Sequence, residues 1–100
     1  MEDRDYIFIL YDYYGDLFHD KHKEYFESYY FDNLSLGEIS DNLDISRNAI
    51  HKGFKAMVVK LYFYEDKLGM YKRYKEINEV IEMIKDEEVK NKLKNILESD

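Results

Sequence analysis

Apolar residues recur three and four positions apart along almost the whole chain, the period of an amphipathic helix. The first such stretch, residues 4–14, contains "YIFILYDYY". Its composition suits a strand or a buried helix equally. A helix is expected, because no other segment offers it a sheet partner. Gly15 suits the break that follows. A second helix is expected over residues 20–31, with Phe18, Tyr25, Phe26, Tyr29 and Tyr30 on its apolar side. His19 or Asp20 must cap it, and Asp20 is the better capping residue.

Ser35-Leu36-Gly37-Glu38 is a capping box: the serine oxygen takes an orphan amide and the glutamate reaches back to the cap. The short helix it opens turns Ile39 and Leu43 inward and ends at Asn42 to Asp44. Ser46 caps the next helix, with Ile45 as a hydrophobic staple. Ile50, Phe54, Met57, Leu61, Tyr64 and Leu68 then form one continuous stripe, and Gly69 suits its C-terminal cap. A fifth helix is expected over residues 70–85, with Tyr74, Ile77, Ile81 and Ile84 on one face. A last one carries Val89, Leu93, Ile96 and Leu97, and the acids at 86–88 complement its dipole. Residues 57–64, "MVVKLYFY", are apolar all round apart from Lys60. One side should pack on the N-terminal helices. Val58, Val59, Tyr62 and Phe63 then need the C-terminal hairpin or a second subunit as cover.

The pair of helices around residue 44 has the spacing of a helix-turn-helix. Ser40 is small where the second helix crosses the first. Ile39, Leu43, Ile45 and Ile50 stand where the corner must be locked. Asp44 takes the turn position that favours glycine. The fold class is therefore all-α. A helical core over residues 1–68 contains the helix-turn-helix at about 35–56. Residues 69–100 form a C-terminal helical hairpin.

Charge sharpens this picture. The chain has a net charge of -7, yet residues 46–64 hold four bases and no acid, whereas residues 1–45 hold twelve acids and three bases. In a helix-turn-helix the N-terminal outward residues of the second helix meet base edges. Here these are Ser46, Arg47, Asn48, His51, Lys52 and Lys55. Arginine can grip guanine with two hydrogen bonds and asparagine adenine, while the lysines neutralise phosphates. A patch of four or five cations on an acidic protein implies weak to moderate binding.

Other chemistries find little support. The chain has no cysteine, which removes disulfides and thiolate metal sites. It has no glycine-rich phosphate loop and no paired carboxylates, so a non-enzymatic protein without cofactor is expected. His19 and His22 have metal-ligand spacing, but a surface pair is the simpler reading. The apolar run 6–11 is too short to span a bilayer and has acidic flanks, so a cytoplasmic protein is expected. Eleven tyrosines are read as compositional bias.

"YFESYYFDNLSLGEISDNLDISRNAI", followed by "YEDKLGMYKRY", resembles the YlxM family of small bacterial proteins. The resemblance covers about residues 5–85, and "YYFDNLSLGEIS", "ISRNAI" and "KLGMY" carry most of it. It implies an all-helical fold with a helix-turn-helix like region 4 of sigma factors, dimers formed through the C-terminal helices, and a link to the signal recognition particle pathway. His19, Asp20 and His22 depart from the family pattern, as do Ser40 and the sequence His51-Lys52-Gly53 in the reading helix. The function expected is a helix-turn-helix regulatory protein contacting DNA or RNA. The alternative is an adaptor that uses the same scaffold to bind protein, such as signal recognition particle components.

Overall fold

The computed structural model describes residues 3–99. Among the described residues there are six α-helices, one 3₁₀ turn and no strand. The helices are α1 (Arg4–Tyr14), α2 (Asp20–Tyr30), α3 (Leu36–Leu43), α4 (Arg47–Leu68), α5 (Met70–Glu82) and α6 (Glu87–Glu98); the 3₁₀ turn, Gly15–Leu17, follows α1.

The ambiguous first segment is a helix. Asp3 caps it by accepting from the amides of Asp5 and Tyr6, and Ile7, Leu10, Tyr11 and Tyr14 are buried on one side. They pack with Phe18, Phe26, Met57, Val58 and Leu61 into the main core, so α4 is the spine on which α1 and α2 lie. Tyrosine builds this core as well as biasing the composition. The Tyr11 ring stacks on Phe26 at 4.0 Å, and its hydroxyl donates to Glu27. Arg4 ties α1 to the end of α2: its guanidinium lies 5.0 Å from the Tyr30 ring and donates to the Tyr30 carbonyl.

The cap of α2 differs from expectation. His19 is the N-cap, its Nδ1 accepting from the His22 amide, and Asp20 is the first helical residue. An imidazole nitrogen reaches the orphan donor as a carboxylate would. The His19 and His22 rings pack at a tilt, their centroids 3.9 Å apart. Burial, then the neighbouring His19 and Lys60, hold His22 below the ordinary histidine value.

The junction of α4 and α5 is held from a distance. Gly69 is left-handed (φ 59°) and serves both as C-cap of α4 and N-cap of α5. It has no side chain with which to cap α5. Glu65 and Tyr14 supply the missing acceptors. The Glu65 carboxylate accepts from the Tyr14 hydroxyl at 2.6 Å and from the amides of Tyr71 and Lys72 at 3.1 and 3.0 Å. The Tyr14 oxygen accepts from the Met70 amide at 3.1 Å. Three chain segments meet at this one carboxylate.

α5 ends at Glu82, three residues short of its expected end, and α6 opens on Asp86, which accepts from the amides of Glu88 and Val89. Of the expected α5 face, Ile81 is buried, Tyr74 and Ile84 are half-buried and Ile77 is exposed. No α6 residue is fully buried. The hairpin is tied by Glu82, which meets Lys94 at 2.7 Å and Lys90 at 3.4 Å. The molecule is elongated as a result, 55 × 24 × 23 Å, with a radius of gyration of 17.3 Å against about 13 Å for a compact chain of this length.

The cover expected for residues 57–64 is only half present. Val58 lies in the core, but Val59 and Phe63 stay 68% and 54% exposed and Tyr62 36%. Within the hairpin α5 packs on α1 and touches α4, and the outer side of α4 stays uncovered.

Candidate nucleic-acid interface

The helix-turn-helix consists of α3, the turn Asp44-Ile45-Ser46 and the first half of α4. The capping box is complete: Ser35 accepts from the Glu38 amide, and the Ser35 amide donates to the Glu38 carboxylate, both at 3.1 Å. Asp44 is left-handed, with φ 55° and ψ 46°. The turn closes through the Ile45 amide to the Ser40 carbonyl, 3.3 Å. Ser40 does more than make room. Its hydroxyl donates back to the Ile45 carbonyl, so the corner is bonded in both directions. Tyr25, Ile39, Ile50 and Phe54 form a second buried cluster under it, with Leu43 and Ile45 packed alongside. The orientation of α4 relative to α3 is therefore set by apolar packing and two local hydrogen bonds.

The six expected contact residues are all exposed, but they are not equivalent. Ser46 is the N-cap of α4, its hydroxyl accepting from the Ala49 amide at 3.1 Å. It sits in a polar hollow with Asp41 and Asp44, whose carboxylates disfavour a phosphate there. Arg47 folds back over α3: a Cβ at Gly37 would stand 2.7 Å from its guanidinium. Its reach is directed toward the start of α3. Asn48, Lys52 and Lys55 follow one another at four- and three-residue spacing and share one face of α4, with His51 beside them. Among the described residues, Arg47, Lys52 and Lys55 form no ion pair, whereas Lys90, Lys92 and Lys94 of α6 are all paired. These three cations of α4 thus stand with their charge uncompensated.

Reading from sequence missed three features. Glu65 looked like one surface acid among many, because its partners at 14 and 71–72 are remote in the chain. The contact of Arg47 with Gly37 was signalled only by a glycine inside a helix, a position glycine normally disfavours. A second acid-free run, residues 67–75 with four bases, was hidden by averaging it with the C-terminal acids.

A short helix and the start of a long one joined by a left-handed corner, on an all-helical scaffold, define a helix-turn-helix protein. The chain belongs to the family whose model is described as "Putative helix-turn-helix protein, YlxM / p13 like", which matches residues 1–99. Similar relatives are a UPF0122 protein of Caldanaerobacter subterraneus, 49% identical over 88 residues (86% of this chain, 74% of the relative), and one of Fusobacterium nucleatum, 40% identical over 86 residues (86% and 84%). A UPF0122 protein of Listeria innocua is 34% identical over 97 residues, covering 88% of each chain. Among the described residues no helix is long and apolar enough to cross a membrane.

Proposed function

We propose that this chain is a non-enzymatic regulatory protein that contacts DNA or RNA through the outward face at the start of α4, and that it acts as a homodimer. One observation carries the nucleic-acid reading: Asn48, His51, Lys52 and Lys55 share an exposed face in a segment with no acid from 46 to 64. Asn48 and His51 offer hydrogen bonds to base edges, Lys52 and Lys55 neutralise phosphates, and Arg47 contributes from the α3 side. Asp41 and Asp44 flank only the Ser46 end of this segment, so its four bases give the field a local direction although the net charge is negative. Dimerisation is supported by the hairpin, where Ile77, Val80, Met83, Val89 and Ile96 are exposed and Glu82 pairs with Lys90 and Lys94. Such an apolar surface suits self-association. The likeness to the YlxM family directs the search for the nucleic acid to the signal recognition particle RNA.

Fluorescence anisotropy against duplex DNA, single-stranded RNA and the signal recognition particle RNA, each at two salt concentrations, tests the reading. Saturable binding is expected, lost in Lys52→Glu/Lys55→Glu with helicity unchanged. Absence of binding at about tens of micromolar protein, where non-specific contacts are normally visible, would overturn it. The second reading, a protein adaptor, is favoured by the exposed Val59 and Phe63. Copurification of a partner that survives nuclease treatment and is lost in the same lysine variant would select it.

A further inference from the structure

The outward face of α4 does not stop at Lys55. The ladder Asn48, Lys52, Lys55, Val59, Tyr62 and Asp66 continues at four- and three-residue spacing to the end of the helix, and every member is exposed. Phe63 and Lys67 stand beside its upper end, the Lys67 ammonium 5.7 Å from the Phe63 ring. The face then runs into an open groove at the α4–α5 corner, lined by Tyr6, Tyr62, Tyr71, Lys72 and Lys75. Tyr6 stands between the other two rings, 5.5 Å from Tyr62 and 5.9 Å from Tyr71. The Lys75 ammonium sits 4.9 Å from the Tyr71 ring.

Charge along this path is mainly positive. Residues 67–75 hold Lys67, Lys72, Arg73 and Lys75 and no acid. Among the described residues, Lys72, Arg73 and Lys75 form no ion pair, and Lys67 meets only its neighbour Asp66, at 3.9 Å. Glu65 also lines the groove, but its carboxylate is engaged by the Tyr14 hydroxyl and two amides. Asp66 and Glu76 are the acids that stay on the wall.

Exposed rings alternating with uncompensated cations are what a single nucleic-acid strand requires: flat surfaces for its unpaired bases and charge for its phosphates. A protein helix would need a continuous apolar seam, and the ladder has polar residues at 48, 52 and 55 and one aliphatic residue, Val59. A second copy of the same face would set lysines against lysines. From Lys52 to Lys67 the helix rises about 22 Å at about 1.5 Å per residue, the length of six or seven stacked nucleotides at about 3.4 Å each.

We propose that the outer face of α4 and the α4–α5 groove form a track for an unpaired nucleic-acid strand. Tyr62 and Phe63 are its stacking platforms, and Lys52, Lys55, Lys67, Lys72 and Lys75 face its phosphates. The track rests on the nucleic-acid reading above and extends it: the ligand carries single-stranded bases next to whatever the start of α4 contacts.

The test uses the full chain with labelled oligothymidine and oligouridine of about ten nucleotides, slightly longer than the track, and a blunt duplex of equal length. Wild type should bind the strands. Tyr62→Ala/Phe63→Ala should weaken strand binding by about tenfold or more, as expected for one or two lost stacks, and leave duplex binding unchanged. Tyr62→Phe, which keeps the ring, should bind as wild type. Lys72→Glu/Lys75→Glu should weaken strand binding and flatten its salt dependence, and it reads the track without touching the rings of α4. Unchanged strand affinity in both double variants, while Lys52→Glu/Lys55→Glu still abolishes binding, would overturn the track and leave the helix-turn-helix reading standing. No binding of any oligonucleotide, with a nuclease-resistant partner lost in Tyr62→Ala/Phe63→Ala, would overturn both in favour of protein docking.

Discussion

Glu65→Ala should be among the most damaging surface-accessible substitutions in the chain. The carboxylate accepts three hydrogen bonds, from the Tyr14 hydroxyl and the amides of Tyr71 and Lys72. It stands in for the capping side chain that Gly69 lacks. Hydrogen bonds to a charged group contribute about 1.5–3 kcal/mol each when buried. Glu65 is half-buried, so water takes over part of the lost bonding, and a total of about 2–4 kcal/mol is expected. A domain of this size has about 5–15 kcal/mol in all. At about 4–8 °C per kcal/mol the melting temperature should fall by roughly 8–32 °C.

Glu65→Gln keeps one acceptor and should fall between, and Tyr14→Phe, which leaves the Met70 amide without its acceptor, should cost about 1–2 kcal/mol. The pH dependence gives an independent check. Burial raises the Glu65 carboxyl, but the bonds from Tyr14, Tyr71 and Lys72 outweigh it and hold the group below its ordinary value. A depressed carboxyl stabilises the fold above its unfolded pKa and loses that contribution as pH falls through the folded value. The difference between wild type and Glu65→Gln should therefore shrink in acid. Burial and the bond to Glu65 push the Tyr14 hydroxyl up to about 12, so it stays a donor throughout that range. Thermal melts by circular dichroism at neutral and acid pH make the measurement. A fall smaller than the about 4 °C of a single kcal/mol in both Glu65 variants would refute the reasoning.

Other expectations follow from single residues. Gly53→Ala should stabilise the protein by about 0.5–1 kcal/mol, since glycine weakens a helix interior and a Cβ there would meet only Tyr25 at an ordinary 3.5 Å; a lower melting temperature would show that the site is tighter than it looks. Asp44→Gly should raise stability by up to about 1 kcal/mol, because φ there is 55°, and denaturant titration decides the sign. Ser40→Ala should cost about 1 kcal/mol by leaving the Ile45 carbonyl unbonded, measurable in the same titration. His22 is held below its ordinary value by burial, His19 and Lys60, so the unfolded chain takes up its proton first. Stability should decline as pH falls below the unfolded value, about 6.5, until the folded His22 is also protonated, and His22→Gln should remove that slope from melts recorded between neutral and mildly acid pH.

Much of the architecture was legible in the sequence because its determinants are local. The capping box at Ser35 and Glu38, the cap at Ser46, the left-handed Asp44 and the stop at Gly69 each involve residues within a few positions of one another, and the structure has each of them. Spacing of apolar residues set which face of each helix is buried, from Ile7 in α1 to Leu61 in α4. Spacing also put Asn48, Lys52 and Lys55 on one outward face.

The three-dimensional fold decided what depends on partners far apart in the chain. His19 took the cap from Asp20 because its ring, packed at a tilt against His22, puts Nδ1 within reach of the amide. Arg47 turned from the reading face because α3 presents a bare glycine for it to cross. Val59, Tyr62 and Phe63 were left open because the hairpin is anchored at Glu65 and Tyr14 and leans the other way. By itself the sequence determined the helices, most of their ends and the helix-turn-helix, because hydrogen bonds and apolar spacing along one helix are local. Which surfaces those helices leave uncovered was decided only by tertiary packing, where side chains fifty residues apart must meet.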